Sequence, residues 1–361
     1  MARRARVAAH YPRRGVGLAL AAAVLFGASA PFAKLLLAGT SPQLLAGLLY
    51  LGSGTGLLVV WLRGRRSTAR ETSLARRDVP WLVGAIAFGG VLAPLLLMIG
   101  LTRTPASGAS LLLNLEGVFT ALIAWFVFRE NFDRRIAVGM LAIVAGGIVL
   151  SWEGRLSWGG LAGPLAVAAA SLCWGIDNNL TQKVSAGDPV QIAMLKGLAA
   201  GSVNTAIALV LGANWLPGPN VIGALFLGFL SYGVSLVLFV LALRNLGTAR
   251  TGAYFSTAPF VGAVLSLAMF RERPTPLLLF AAGLMGFGVW LHLTERHQHE
   301  HQHETMEHDH GHVHDEHHDH VHALSDPPVT DPTPHTHRHW HQPIAHTHPH
   351  YPDIHHRHGH E

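Results

Sequence analysis

The chain has 361 residues, half of them hydrophobic and only 13% charged, which is the composition of an integral membrane protein rather than a water-soluble one. Its formal charge of +5 fits contact with anionic lipid and gives no reason to expect a nucleic-acid partner. Cys173 is the only cysteine, so an intrachain disulfide is excluded.

The chain opens on a basic segment, residues 1–14, with five arginines ahead of the first apolar run. A cleaved signal peptide is one alternative for this region, because Ala28-Ser29-Ala30 resembles a cleavage site, but the apolar run continues to Leu37. A bilayer core about 30 Å thick needs roughly 20 apolar residues per helix. We predict an all-α integral membrane protein with ten transmembrane helices, at residues 15–37, 42–62, 80–101, 105–128, 135–152, 160–183, 188–211, 219–243, 249–270 and 275–293.

The arginines predict how these helices are oriented, because basic residues in short loops are retained on the cytoplasmic side. Six arginines separate the second and third spans and three separate the fourth and fifth, whereas the alternate loops of this half carry one or none. Arg271 and Arg273, in a predicted outer loop, weaken the pattern in the second half. The prediction is a multi-pass protein of the cell (inner or plasma) membrane with both termini in the cytoplasm.

Two stretches of the chain match each other without a gap at an offset of 142 residues. Phe128-Arg129-Glu130 falls on Phe270-Arg271-Glu272. Each copy holds five spans, and an odd number inserts the second copy upside down, which gives two inverted repeats. Chance similarity between two stretches rich in alanine and leucine is the alternative. The predicted division is a basic cytoplasmic tail 1–14, five-helix repeats 15–152 and 160–293, a linker 153–159 and a C-terminal tail 294–361.

The fourth span carries Leu115-Glu116-Gly117-Val118-Phe119, then Leu122-Ile123-Ala124-Trp125 and Phe128-Arg129-Glu130-Asn131. This pattern resembles the fourth-helix signature of EamA-type transporters in the drug/metabolite transporter superfamily, and the resemblance covers residues 15–293. Gly117 stands where the family usually has proline, and Arg129 where it usually has glycine. The resemblance implies a bundle whose central cavity opens alternately to each side, in a secondary transporter that commonly exports amino acids, metabolites or drugs.

A carboxylate at membrane depth costs several kcal/mol unless it is neutralised or paired. Glu116 lies midway along the fourth span, between Asn114 and Gly117. We predict that Glu116 faces the cavity and binds a proton or a substrate amine alternately, with Asn114 in the same pathway. The alternative is a protonated glutamate that only bonds a neighbouring helix.

The sixth span ends on an unusually polar string, which begins at Trp174 and runs through Asp177, Asn178 and Asn179. Lys196 lies at a comparable depth in the next span, so an Asp177–Lys196 pair is geometrically allowed, and Asn204 could extend the same face. The pair either fixes the register of the helices or handles substrate and protons. The predicted substrate and proton pathway comprises Trp174, Asp177, Asn178, Asn179 and Lys196 with the two fourth-span residues.

Several aromatic residues of the spans could line a pocket, although such residues more often pack or anchor at the interface. They are Trp125, Trp174, Tyr232 and Tyr254. The sequence contains no Gly-x-x-x-x-Gly-Lys-Ser/Thr loop for direct ATP coupling and no legible set of nucleophile, base and orienting group. We therefore predict no catalytic residues and no enzyme activity.

The last 65 residues contain 23 histidines, mostly as His-x-His, and too few apolar residues to form a core. We predict a disordered cytoplasmic tail whose imidazoles bind zinc, nickel, cobalt or copper, without any required cofactor. A solubilising or pH-responsive tail is the alternative. The candidate metal ligands are His297, His299, His308, His310, His312, His314, His335, His337, His346, His348, His355 and His356.

Three functional hypotheses follow from these features. The first is an exporter of a small organic solute, coupled to protons, whose tail regulates it or buffers metal. The second is a divalent-metal transporter, and the third is a membrane-tethered metal-binding or sensing protein. The expected partners are a small-molecule substrate, the lipid bilayer and divalent metal ions, and a homodimer is left open.

Overall fold

The computed structural model describes residues 10–64, 74, 76–128, 134–151, 158–185, 187–215, 218–246, 248–294, 298–302, 306–312, 335–341 and 345–349. In the last four of these segments it describes the backbone alone.

The first repeat consists of five helical spans. Spans 2 and 5 are single helices, spans 1 and 4 are each broken once, and span 3 contains a π-helical segment. The helices are His10–Gly27 and Ser29–Leu36 in span 1, Pro42–Gly64 in span 2, Val79–Ala85, the π-helix Ile86–Leu92 and Ala93–Arg103 in span 3 after the 3₁₀ turn Arg76–Asp78, Ala106–Leu112 and Leu115–Phe128 in span 4, and Arg134–Leu150 in span 5.

The second repeat has the same five-span plan. Spans 6, 7 and 10 are single helices, span 8 contains a π-helical segment and span 9 is broken once. The helices are Trp158–Val184 in span 6, Pro189–Val210 in span 7, Gly218–Gly228, the π-helix Phe229–Val234 and Ser235–Leu246 in span 8, Thr248–Phe255 and Ala258–Phe270 in span 9, and Pro276–Leu293 in span 10.

The ten predicted spans are confirmed within the part of the chain that the structure describes. Nine are helical segments long and apolar enough to cross a membrane, and the fifth contributes a shorter apolar helix, Ala137–Leu150. Side chains such as Phe126, Leu141, Val210 and Phe280 are more than 60% exposed, which is the environment of a surface that faces lipid. The predicted all-α membrane bundle is therefore confirmed.

The two repeats share irregularities that the sequence did not predict. The π-helices Ile86–Leu92 and Phe229–Val234 occupy corresponding places in spans 3 and 8. The break at residues 113–114 in span 4 likewise corresponds to the break at residues 256–257 in span 9. Since both irregularities recur near the 142-residue offset, the repeat is expressed in the backbone and not only in the residue pattern.

Small residues set the centre of the bundle by letting spans 2 and 7 approach closely. A Cβ atom added at Gly54 would lie 2.4 Å from the backbone nitrogen of Leu198, and one added at Gly197 would lie 2.4 Å from that of Gly54. Close contact between the two backbones provides van der Waals packing, which membrane helices need because lipid tails are as apolar as their side chains. The two spans therefore form a fixed pair against which the site residues are positioned.

The tail contains four short strands, whereas the sequence predicts a disordered tail. Gln298–Gln302 (β1) pairs antiparallel with Ala345–Pro349 (β4), and Met306–His312 (β2) with His335–His341 (β3). His-x-His alternates with a period of two, which matches the period of a strand and explains why these segments can pair. The register sets histidine opposite histidine, including His308 opposite His339 and His299 opposite His348.

Candidate functional site

The break in span 4 lies immediately before Glu116. The helix stops at Leu112, and the Asn114 side chain donates a hydrogen bond to the carbonyl oxygen of Leu111 at 3.1 Å before the next helix begins at Leu115. Glu116 therefore lies in the first turn of a helix, where the helix dipole favours a negative charge. A broken helix inside the membrane is tolerated where it is enclosed by protein or lines a cavity.

One Glu116 oxygen is bound by the polar string of span 6. Asn178 Nδ2 donates to Glu116 Oε1 at 2.8 Å and to Thr120 Oγ1 at 3.2 Å. The second oxygen, Oε2, accepts no hydrogen bond from any described residue, and the side chain is only partly buried. Asn179, one residue further on, donates to the backbone oxygens of Thr120 and Gly175 and so holds the two spans together.

Asp177 and Lys196 form a buried ion pair between spans 6 and 7. Lys196 Nζ lies 2.6 Å from Asp177 Oδ1 and 2.7 Å from Oδ2, and it also donates to Thr181 Oγ1 at 3.2 Å. The Thr181 hydroxyl in turn donates to Asp177 Oδ1 at 2.9 Å. Because an ammonium group has three hydrogens, these contacts use the full donor capacity of Lys196.

The π-helix of span 3 provides the other wall of this ion pair. A Cβ atom at Gly89 would lie 1.9 Å from Asp177 Oδ2, so only glycine leaves room for the carboxylate. The Gly89 carbonyl accepts hydrogen bonds from Tyr50 Oη at 2.6 Å and Trp174 Nε1 at 3.1 Å. A π segment disturbs the regular i to i−4 ladder, which makes carbonyls available to side chains of other helices.

Asn204 also binds the π segment and not the ion pair. Its Nδ2 donates to the carbonyl oxygens of Gly90 at 3.2 Å and Val91 at 3.4 Å. The polar face that the sequence suggested for span 7 is therefore divided, because Lys196 contacts span 6 while Asn204 contacts span 3.

Aromatic rings close the centre of the bundle beside these polar groups. Phe26 meets Trp174 edge to face with 5.5 Å between ring centroids, and it contacts Tyr232 at 5.8 Å. Tyr50 lies 5.2 Å from Tyr232. Phe26 and Trp174 come from spans 1 and 6, which open the two repeats, so the cluster lies where the repeats meet. The Tyr232 hydroxyl is buried without a hydrogen bond among the described residues.

The structure brings most of the predicted pathway residues together and separates a few of them. Asn114 is buried and close to Glu116 in sequence, but its side chain bonds Leu111 of the preceding helix and approaches Met285. Trp125 is 38% exposed and packs on Phe126, so it lies on the outer surface and not in the aromatic cluster.

Four further residues contribute to the site and are not predicted from the sequence: Thr120, Thr181, Tyr50 and Gly89. Threonine hydroxyls four residues after Glu116 and Asp177 gave a usable signal, because residues four apart share a helix face. No comparable signal marks Tyr50 and Gly89, which come from other spans.

The predicted metal ligands fall into two groups. His299, His308, His310, His312, His335, His337, His346 and His348 lie on the four tail strands. His297, His314, His355 and His356 lie outside the described residues. Among side chains that the structure describes, no group of three or more His, Cys, Asp or Glu could hold a metal ion.

Comparison with known proteins agrees with this architecture. The model of the EamA-like transporter family matches residues 13–152 and matches again at residues 161–294. The chain belongs to the EamA-like transporter family. The family resemblance of the fourth span is thereby confirmed, and the members are transporters rather than enzymes.

Individual relatives cover most of the bundle or half of it. The chain is 30% identical over 268 residues to an uncharacterized transporter of Methanothermobacter thermautotrophicus, covering 70% of this chain and 78% of that one. It is 26% identical over 224 residues to a probable terminal-alkyne amino-acid exporter of Streptantibioticus cattleyicolor, with 60% and 73% covered. It is 38% identical over 104 residues to a probable 4-amino-4-deoxy-L-arabinose-phosphoundecaprenol flippase subunit, ArnE, of Pseudomonas paraeruginosa, with 28% and 89% covered.

A solved crystal structure shares the fold. It superposes with a TM-score of 0.60 at 19% identity and covers 78% of this chain and 98% of the other. At this identity the likeness concerns the fold alone.

Proposed function

We propose that this membrane transporter exports a small organic solute by alternating access and that Glu116 couples export to protons. The observation that carries the proposal is Glu116 Oε2, which accepts no hydrogen bond from any described residue and belongs to a carboxylate beside the helix break in span 4. A carboxylate at membrane depth must be neutralised, and a proton or a substrate can do this in turn. The exporter named among the relatives supports the direction of transport.

Asn178 supports this role by keeping the coupling group in place without neutralising it. An amide donor stabilises the charged form of Glu116 yet brings no positive charge, so the carboxylate still needs a cation. Among the described residues, the charged or titratable groups that interact electrostatically with Glu116 include Asp177, Lys196 and Tyr50. The first two neutralise each other, which leaves Glu116 as the group that exchanges its counter-charge.

A growth screen of a deletion strain tests the proposal. The strain is complemented with the wild type, with Glu116→Gln and with Glu272→Gln, and is challenged with panels of amines, amino acids and divalent metals. We expect wild-type protein to raise tolerance to one organic class, Glu116→Gln to lose that tolerance, and Glu272→Gln to serve as a matched carboxyl-to-amide control that keeps part of it. Equal tolerance with Glu116→Gln and the wild type would contradict Glu116 as the coupling group.

We also propose that the tail binds divalent metal, as a regulator or buffer and not as the transported cargo. The support is the register of β2 and β3, which sets His308, His310 and His312 opposite His339, His337 and His335. Alternate residues of a strand share a face, so this register collects six histidines on one face of a two-stranded ribbon. Imidazole suits zinc, nickel, cobalt and copper.

Calorimetric titration of Zn²⁺ and Ni²⁺ into the purified full chain tests the tail. We expect binding that disappears when residues 297–361 are deleted, while tolerance in the growth screen is retained. Metal binding of equal stoichiometry by the deletion variant would contradict the proposal. Loss of organic tolerance together with the tail would instead make the tail part of the transport path.

A further inference from the structure

We propose that the exported solute carries an amino group and no free carboxylate, and that one such cation exchanges for one proton at Glu116. This inference rests on the proposed function and names its substrate class. It follows from a count of the charges and hydrogen-bond donors at the centre of the bundle.

A substrate carboxylate would need a cationic side chain to bind it inside the bundle. Lys196 is the only cationic side chain that is buried among those the structure describes. Its three ammonium hydrogens are already directed to Asp177 Oδ1, Asp177 Oδ2 and Thr181 Oγ1. A substrate carboxylate would have to break this ion pair and would leave Asp177 uncompensated in a low-dielectric interior, which is strongly unfavourable.

The net charge of Asp177, Lys196 and Glu116 limits what can bind beside Glu116. The Asp177–Lys196 pair is neutral in itself, so the ionised cluster formed with Glu116 carries one net negative charge. Either a proton on Glu116 or one monovalent cation beside its Oε2 restores neutrality, and both together would overcompensate. When an ammonium group binds, the proton on Glu116 leaves to water, so one positive charge replaces another and the exchange is electroneutral.

An aromatic residue lies near the Glu116 carboxylate. Trp174 and Asn178 are four residues apart on span 6 and therefore share one face of the helix, about 6 Å apart along its axis. Asn178 bonds Glu116, and Trp174 packs against Phe26 in the aromatic cluster. An ammonium group at Glu116 would thus have aromatic surface within reach of its apolar part, which favours an amine that carries a ring or chain.

Three probes with the same phenyl ring and different charge test the inference by calorimetry on the purified full chain. They are phenethylamine, phenylalanine and 3-phenylpropionate, and each titration is repeated in phosphate and in Tris to count the protons released on binding. We expect phenethylamine to bind at least tenfold more tightly than the other two and to release protons. We expect Glu116→Gln to lose the release, and Glu272→Gln to keep it.

Each other result overturns the inference. Equal or tighter binding of phenylalanine or 3-phenylpropionate would show that the site accepts a carboxylate. Binding of phenethylamine without proton release would remove the exchange, and the lack of any binding by all three probes would remove the amine class. The proposed function fails separately, when the growth screen finds no organic solute whose tolerance depends on Glu116.

Discussion

At the scale of single residues, the site contains two kinds of charged group with different consequences. Asp177 and Lys196 satisfy each other, together with Thr181. Asn178 binds one oxygen of Glu116, and the other oxygen has no hydrogen-bond partner in the part of the chain that the structure describes. A closed ion pair fixes the geometry of two helices, whereas a half-satisfied carboxylate can change its partner.

The first residue-scale prediction separates the structural role of the ion pair from a transport role. Asp177→Asn leaves Lys196 buried without a counter-charge and should destabilise the protein by about 3 kcal/mol. The double variant Asp177→Asn/Lys196→Met removes both charges and should recover most of that loss, as measured by thermal unfolding in detergent. The double variant should also keep Glu116-dependent tolerance. A stable double variant without tolerance would assign the pair a direct role in transport.

A second prediction concerns the glycine against which Asp177 lies. Gly89→Ala places a methyl group where the Asp177 carboxylate now is, so we expect a loss of about 2 kcal/mol and lower transport. Gly283→Ala is the matched control, because a Cβ atom there meets nothing within 4 Å. Equal melting temperatures for the two alanine variants would contradict the close approach of the Asp177 carboxylate to Gly89.

At the scale of helices, the spans were predictable and their interruptions were not. A run of about 20 apolar residues identifies a span, and the predicted run 135–152 matches the helix Arg134–Leu150 closely. The break at residues 113–114 contains no proline or glycine, and a π-helix has the composition of an α-helix. The π segment of span 3 has one local signal, because Pro94 cannot donate the hydrogen bond to the Gly90 carbonyl four residues earlier. The Trp174 bond to the Gly89 carbonyl comes from another span and is not encoded locally.

The break in span 4 gives a prediction at this scale. Gly117 is the third residue of its helix, and its counterpart Pro259 is the second residue of Ala258–Phe270. N–H groups of the first turn have no partner within the helix, so Gly117→Pro should fold and transport. Val118→Pro, one residue later, should cost about 3 kcal/mol because an intrahelical hydrogen bond is lost. Equal unfolding temperatures for the two proline variants would place the helix start elsewhere.

At the scale of the whole molecule, an even number of spans places the two ends of the bundle on one side of the membrane, and the arginine distribution predicts that this side is the cytoplasm. Alkaline phosphatase fused after Leu293 should therefore be inactive, whereas green fluorescent protein at the same place should fluoresce. Alkaline phosphatase inserted at Asn214, between spans 7 and 8, should be active. An active fusion after Leu293 would reverse the orientation and place the histidine tail outside.

Proton flux in proteoliposomes tests most directly whether Glu116 couples solute export to protons. The flux is driven by the solute that the growth screen identifies and is read with a pH dye inside the vesicles. Wild-type protein and the variant lacking residues 297–361 should both move protons against the solute gradient, because the coupling group lies in the bundle. Glu116→Gln should insert equally well and move none. Solute-driven proton flux of wild-type size through Glu116→Gln would contradict Glu116 as the coupling group.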